Sequence, residues 1–400
     1  MTAPARILLA WELGHGWGHV LPLRALAEHL IAAGHQVFVA ARDLLRTRRA
    51  FAGSAARVLA APFFPGLLIP AQQQNSLADV IWFDGGGHTQ DSTEALFLAW
   101  RELLQQLRID LLIADAAPMA IAAAHGLTRR MSYDNCFHAT DVHAWSIFRD
   151  WERIDANVTQ DRARRLLTHL NAARSTVNLP PAESLAAGFS AQRQLLRFVP
   201  ELDHAGPRAQ SRYIGQTAGP GCSPNWPEPQ RSRRVLAYVR KDHPLSDRVI
   251  NALVRLPEAS VLCFHDGLAA DKLRSASHVS YSQIPYALAE VLPQAHAVVC
   301  NGGGLHAMAT QFGLPTLVLP MHTEQFLAGR MGVQAGVSLM HVARGDRPDV
   351  LPMIKAVLNQ PEMTARAQAI AKLQRAREPD AMGAILEEAR LLLDGSVNFS

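Results

Sequence analysis

Two glycine-rich turns in this chain carry the residues best suited to chemistry. The first is Gly14-His15-Gly16-Trp17-Gly18-His19, directly after the apolar run Arg6 to Trp11. A histidine at a helix start, at the carboxyl end of a parallel strand, can act as a general base near neutral pH. Asp115 ends a second apolar run, 110–115, and is expected to reach the same place and orient His19. A lone histidine at such a turn more often caps or packs. Trp17, together with His138 and His143 beside Trp145, is a candidate for lining an acceptor pocket.

The second turn is Asn301-Gly302-Gly303-Gly304-Leu305-His306, after the apolar run Ala297 to Cys300. Consecutive glycines let a ligand approach the backbone closely, and the open N–H groups of a helix start favour an anion. A diphosphate fits that description better than a plain tight turn does. One βα unit later come Glu324 and Gln325. A carboxylate beside a carboxamide at a strand end suits the hydroxyls of a sugar.

The elements that must position these groups follow from periodicity. Continuous apolar runs at 6–11, 36–40, 110–115, 235–239, 260–264, 297–300 and 316–319 predict buried parallel strands. Helical spacing predicts helices over 23–31, 120–125, 246–255, 285–291, 305–312 and 324–335, with Pro22 in a first turn and Gly34 at a helix end. Residues 61–92 read as loops, and the last 50 residues as helical. Glycine and proline crowd 203–232. The expected organisation is α/β: a Rossmann-like domain over 1–205, a linker over 206–232, and a second Rossmann-like domain over 233–400. Two doubly wound parallel sheets facing a cleft is the implied architecture.

The chain of 400 residues, 48% hydrophobic and 18% charged, has ample material for two cores. Its formal net charge of +4 is thinly spread, which argues against nucleic acid and suits an anionic substrate. Arg129-Arg130 and the cluster Arg46, Arg48 and Arg49 read as solvated faces, with peripheral membrane contact as the other option. Four scattered cysteines outside any CxxC pair, and no signal-like or spanning segment, lead to a cytoplasmic expectation. The remaining histidines lack ligand spacing, so no metal is expected. A nicotinamide oxidoreductase is a rival. Gly14 to Gly18 nearly spells its fingerprint, but His19 replaces the last glycine, and no acid beyond Asp43 stands at clean ribose spacing.

Gly18-His19-Val20-Leu21-Pro22, with Gly34-His35-Gln36-Val37 after the helix, resembles the opening of nucleotide-sugar glycosyltransferases of the GT-B fold. The segment 278–337, with Ile284-Pro285, the 301–304 turn, Gly313-Leu314-Pro315 and Glu324-Gln325, resembles their donor-binding region. The likeness is to the bacterial enzymes related to the UDP-glucuronosyltransferases. It implies that His19 deprotonates an acceptor hydroxyl and that Asp115 steadies it. It implies that Gly303, Gly304 and His306 hold a diphosphate, and that Glu324 and Gln325 grip the donor sugar. Transfer from a UDP- or dTDP-sugar to a small-molecule or lipid acceptor, inverting and without metal or other cofactor, is the implied reaction. The chain departs from the pattern in several places. Asn301 stands where histidine is usual, His306 where serine or threonine is common, and Ala309 where many relatives carry glutamate. Arg240 and Lys241 occupy a usual glycine-serine loop, and Gln283, before Ile284, replaces an aromatic. A non-catalytic nucleotide-sugar-binding member of the same fold is the alternative.

Overall fold

The computed structural model describes residues 4–66, 74–137, 145–148, 154–208, 211–228, 231–267, 276–343, 345 and 348–395. They form two compact units.

The first unit is built on seven parallel strands: β1 Arg6–Trp11, β2 Gln36–Ala41, β3 Arg57–Ala60, β4 Leu111–Asp115, β5 Arg129–Asp134, β6 Arg193–Leu196 and β7 Arg212–Tyr213. Their order is β3-β2-β1-β4-β5-β6-β7. Ile7, Leu8, Leu9, Leu111, Leu112 and Ile113 have no exposed surface, as expected of strands covered by helices on both faces. The strand order turns back between β1 and β4, so their carboxyl ends open a crevice of the kind that binds ligands. Register pairs Trp11 with Asp115 at that crevice.

Helix α1 (Trp17–Ala32) buries Leu23, Leu26, Ala27 and Leu30 on the sheet. It starts earlier than expected, so Pro22 lies inside it rather than in its first turn. Residues 61–92 are not all loop: Ser76 caps a helix, α3 (Leu77–Asp84), whose residues from Leu77 to Phe83 are all buried. The glycines at 85–87 end that helix and do not dissolve it. The first unit also holds α2 (Leu44–Ala50), α4 (Gln90–Gln106), α5 (Pro118–Ala123), α6 (Ala156–Ser175) and α7 (Leu185–Gly188).

The second unit has six parallel strands: β8 Arg233–Val239, β9 Ala259–His265, β10 Val279–Ser282, β11 Ala297–Cys300, β12 Thr316–Val318 and β13 Ser338–Met340. They run in the order β10-β9-β8-β11-β12-β13. The order reverses between β8 and β11, the same device as in the first unit. This unit holds α8 (Ser246–Val254), α9 (Leu288–Val291), α12 (Leu351–Asn359) and α13 (Pro361–Arg377), while α10 (Gly303–Gln311) and α11 (Thr323–Gln334) follow β11 and β12.

The units divide the chain differently from the expected boundaries. Residues 207–214 belong to the first unit, where β7 completes the sheet, while 198–206 and 215–379 form the second. The expected linker thus supplies β7 to the first unit, and its other described residues carry only an isolated bridge at Cys222. The final helix, α14 (Ala381–Leu393), belongs to the first unit, because Ala384, Ile385, Ala389 and Leu392 complete that unit's core. The four cysteines are free. Among the described residues, no helix is long and apolar enough to cross a membrane.

Candidate active site

Each unit places one glycine turn at its strand-order reversal. In the first unit, Gly14 (φ 80°) and Gly16 (φ 92°) carry the chain from β1 into α1. A Cβ on Gly14 would stand 2.6 Å from His19 Nε2, so only glycine leaves room for the imidazole there. His19 is 6% exposed, with its ring stacked on Trp11 (centroids 5.2 Å apart, planes at 16°). Its Nδ1 lies 3.1 Å from Asp115 Oδ1, so the expected pair is brought together.

Asp115 has a second partner. Arg197, one residue past β6, donates from Nη2 to the same Oδ1 at 2.6 Å. The guanidinium also donates from Nε to Tyr133 O (3.1 Å) and from Nη1 to Gly18 O (3.2 Å), and it lies 4.7 Å from the centre of the Tyr133 ring. Pro22 explains the last acceptor. Proline has no N–H to close the helical bond back to residue 18, so the Gly18 carbonyl is left for Arg197. Burial opposes the charge on Asp115, but Arg197 and His19 outweigh it and hold the carboxyl below its ordinary range. Burial likewise opposes the charge on Arg197, and Asp115 reverses the effect.

Two further carboxyls stand at neighbouring strand ends. Asp134 ends β5 and accepts the Ala116 N–H at 2.5 Å. Burial and the nearby Asp115 push it well above the carboxylate range. Glu12 follows β1 and accepts from Ala120 N (2.6 Å) and Met119 N (3.1 Å), closing the start of α5. Burial drives Glu12 up to about 8 against those bonds and Arg42. Neighbouring carboxyls are thus driven apart, Asp115 towards the ionised form and Asp134 towards the protonated one.

In the second unit, Gly302 (φ 111°, ψ −150°) caps α10 in a conformation open essentially to glycine alone. A Cβ there would lie 3.1 Å from Gln325 Cβ, and one on Gly303 would lie 3.5 Å from Glu324 Oε1. The glycine turn and the Glu324-Gln325 turn are therefore packed together, as the spacing suggested. Gln325 Oε1 accepts from Met321 N at 2.9 Å, and Asn301 Nδ2 donates to Leu319 O at 2.9 Å. Asn301 thus ties two strand ends together.

The side chain of one expected donor contact is placed otherwise. His306 is fully buried, with Nε2 2.6 Å from Ser338 Oγ. Burial pushes it down to about 4, so it is neutral and offers no charge to a phosphate. The helical twist turns this side chain inward, although its backbone belongs to the turn. Leu305 is half-buried, and Gly304 packs near Gln216, where a Cβ would stand 3.3 Å from Nε2. Arg240 is held by Asp242 through two bonds of 2.9 and 2.8 Å. Gln283 and Ile284 lie exposed after β10. Trp17 is half-buried, with Arg46 5.5 Å from its ring centre. His138 and His143 fall outside the described residues. No group of three or more metal-ligating side chains occurs among the described residues.

Arg197, Trp11 and Gln216 were not singled out as site residues by sequence reasoning. Strand β6 is half polar, Arg193-Gln194-Leu195-Leu196, so no apolar run marks the strand end beside Arg197.

No family model and no curated protein sequence matches the chain. Solved structures do. The glycosyltransferase of kitacinnamycin superposes with a TM-score of 0.70 at 18% identity, covering 98% of this chain and 99% of that one. Glycosyltransferase VinC in complex with dTDP gives 0.67 at 18% identity, over 98% and 100%. Spinosyn rhamnosyltransferase SpnG complexed with spinosyn aglycone gives 0.67 at 20% identity, over 96% and 99%. The chain therefore has the GT-B fold that these glycosyltransferases share.

Proposed function

We propose that the chain is a glycosyltransferase that moves a sugar from a nucleoside diphosphate to an acceptor hydroxyl with inversion. The observation that carries this reading is the buried array His19, Asp115 and Arg197. An ionised carboxylate only accepts hydrogen bonds, so Asp115 fixes the Nδ1–H tautomer of His19. Nε2 is then the ring nitrogen that takes a proton from an acceptor hydroxyl. The oxygen attacks the anomeric carbon as the bond to the diphosphate breaks, and the sugar inverts. The proton ends on His19, where the charge is stabilised by Asp115.

The second unit carries groups suited to the donor. The N–H groups at the start of α10 face the turn and stabilise the leaving diphosphate through the helix dipole. That role needs no divalent cation. Glu324 and Gln325 beside the turn are the groups for the donor sugar hydroxyls. A thymidine or uridine diphosphate sugar is the proposed donor. Thymidine diphosphate bound to VinC and to the glycosyltransferase SsfS6 supports the first choice. The aglycone in the SpnG complex supports a small-molecule acceptor, with a lipid as the other option.

Calorimetric titration of the full chain with dTDP, UDP and NADP+ tests the reading. Saturable binding of one nucleoside diphosphate, undiminished by EDTA, is expected. Binding of NADP+ alone would contradict it.

A further inference from the structure

Away from the His19 array, the first unit holds a second group of titratable side chains, two of them buried and two half-buried. Arg101 on α4, His125 after α5, Arg130 on β5 and Arg174 at the end of α6 meet at one place. Arg130 was expected on a solvated face beside Arg129, but it is 3% exposed, and Arg174 is 5% exposed. Their side chains bond only to main-chain carbonyls. Arg101 Nη1 donates to Ala123 O (2.8 Å) and His125 O (2.9 Å). Arg130 Nε donates to Ser190 O (3.3 Å), and Arg174 Nε to Pro180 O (2.9 Å).

Among the described residues, no carboxylate is paired with any of these guanidiniums. Burial and Arg174 press on Arg130, and burial and Arg101 press on Arg174. Burial and all three arginines push His125 down to about 3. Three guanidiniums therefore stay charged, close together and without a counter-ion among the described residues, an arrangement that costs stability. Carbonyl bonds satisfy single N–H groups but leave the net charge. Unpartnered polar atoms collect at the same place. Arg174 Nη1 and His125 Nε2 are buried without a hydrogen bond. So are Thr128 Oγ1 and Gln192 Nε2, whose partner oxygen on Gln192 accepts Arg130 N at 2.8 Å.

An open depression of about 620 Å³ adjoins the cluster, lined by Leu98, Ala99, Arg101, Glu102, Gln105 and Val177. Arg101 belongs to both, and Val177 N bonds to Arg174 O at 3.3 Å. The place is not the His19 crevice. Arg130 lies near the beginning of β5, paired with Leu112, whereas Asp115 ends β4.

We propose that Arg101, His125, Arg130 and Arg174 form a binding site for a phosphate-type oxyanion, free or as the phosphoryl group of a small metabolite. Guanidinium forks match such oxygens in pairs, and the orphaned donors supply further bonds. The inference is independent of the transfer reaction.

The test is thermal unfolding and calorimetry of the full chain with inorganic phosphate and with glucose 6-phosphate, at constant ionic strength set by chloride. At a hundredfold excess over Kd, a rise in Tm of roughly 5–10 °C is expected. Arg174→Gln and Arg101→Gln should each weaken binding at least ~10-fold, and Gly302→Ala should leave it intact. In the unaltered chain, phosphate should protect the half-buried Arg101 from phenylglyoxal, as read by peptide mass spectrometry. Preference for either ligand supports the site and identifies the source of the oxyanion. No shift beyond chloride together with no protection, or a shift abolished by Gly302→Ala alone, would overturn it.

Discussion

Arg197 occupies the hydrogen-bond acceptor that Pro22 leaves open. Its Nη1 lies 3.2 Å from Gly18 O, the carbonyl that a residue with an N–H at position 22 would have used. The same guanidinium holds Asp115 at 2.6 Å. One side chain thus fixes both the backbone beside His19 and the carboxylate that orients its ring.

Replacing Arg197 should therefore affect both turnover and stability. Arg197→Gln leaves Asp115 buried with reduced compensation, which costs about 3–5 kcal/mol. In the unaltered chain the folded-state pKa of Asp115 is depressed, so its contribution is complete above the unfolded value and lost as pH falls through the folded one. Urea unfolding at pH 7 and at pH 3.5 should show a large deficit for the variant at the higher pH and a smaller one at the lower. Turnover should fall about 100-fold through displacement of His19. An equal deficit at both pH values would count against the charge argument.

Pro22→Ala separates stability from positioning. The new N–H can close the bond to Gly18 O and compete with Arg197. Removing an interior proline should raise stability by up to about 3 kcal/mol. Transfer should nevertheless slow by several-fold. A variant that is more stable and equally active would show that the Arg197 bond to Gly18 does not matter.

Glu12 should leave a signature in the pH dependence of stability. Its folded-state value of about 8 lies above the ordinary 4.5, so between those limits the unfolded chain binds fewer protons than the folded one. Stability attributable to this group therefore falls as pH rises from about 4.5 to about 8 and is level beyond. Glu12→Gln should remove that slope. It also loses one of the two N–H bonds to α5, an offset on the order of 1 kcal/mol at all pH values. Denaturant midpoints from pH 5 to pH 9 check both effects.

The two turns should fail in different ways. Gly14→Ala puts a Cβ 2.6 Å from His19 Nε2, which displaces the imidazole. Transfer should drop while nucleotide affinity stays within about twofold, a change near 0.4 kcal/mol. Gly302→Ala, at φ 111°, strains the turn by about 1–3 kcal/mol and should weaken nucleotide binding instead. Titration calorimetry on both variants distinguishes them. Loss of binding in Gly14→Ala would contradict the assignment of roles.

Much of this architecture was legible in the sequence, because buried parallel strands read as unbroken apolar runs. The Arg6 to Trp11 run and the 110–115 run suffice to bring His19 and Asp115 to one sheet edge. Arg197 was not legible as a partner: it lies 82 residues from Asp115 in sequence, and only sheet order brings β6 near. His306 was misread because the glycine turn fixes its backbone, while helical twist sends its ring to Ser338. The return of α14 to the first unit depends on which core its apolar stripe completes, and periodicity alone cannot name a partner. The 77–84 helix was hidden by the glycines at 85–87, which mark an end and were read as a loop.

The most direct test of the central claim is His19→Ala, with sugar transfer and nucleotide affinity measured on the same preparation. Product formation from dTDP- and UDP-sugars with a panel of aglycones can be followed by mass spectrometry, and nucleotide binding by calorimetry. The account predicts transfer reduced by about 10²–10⁴-fold, with nucleotide affinity nearly unchanged. Full transfer by His19→Ala would contradict it.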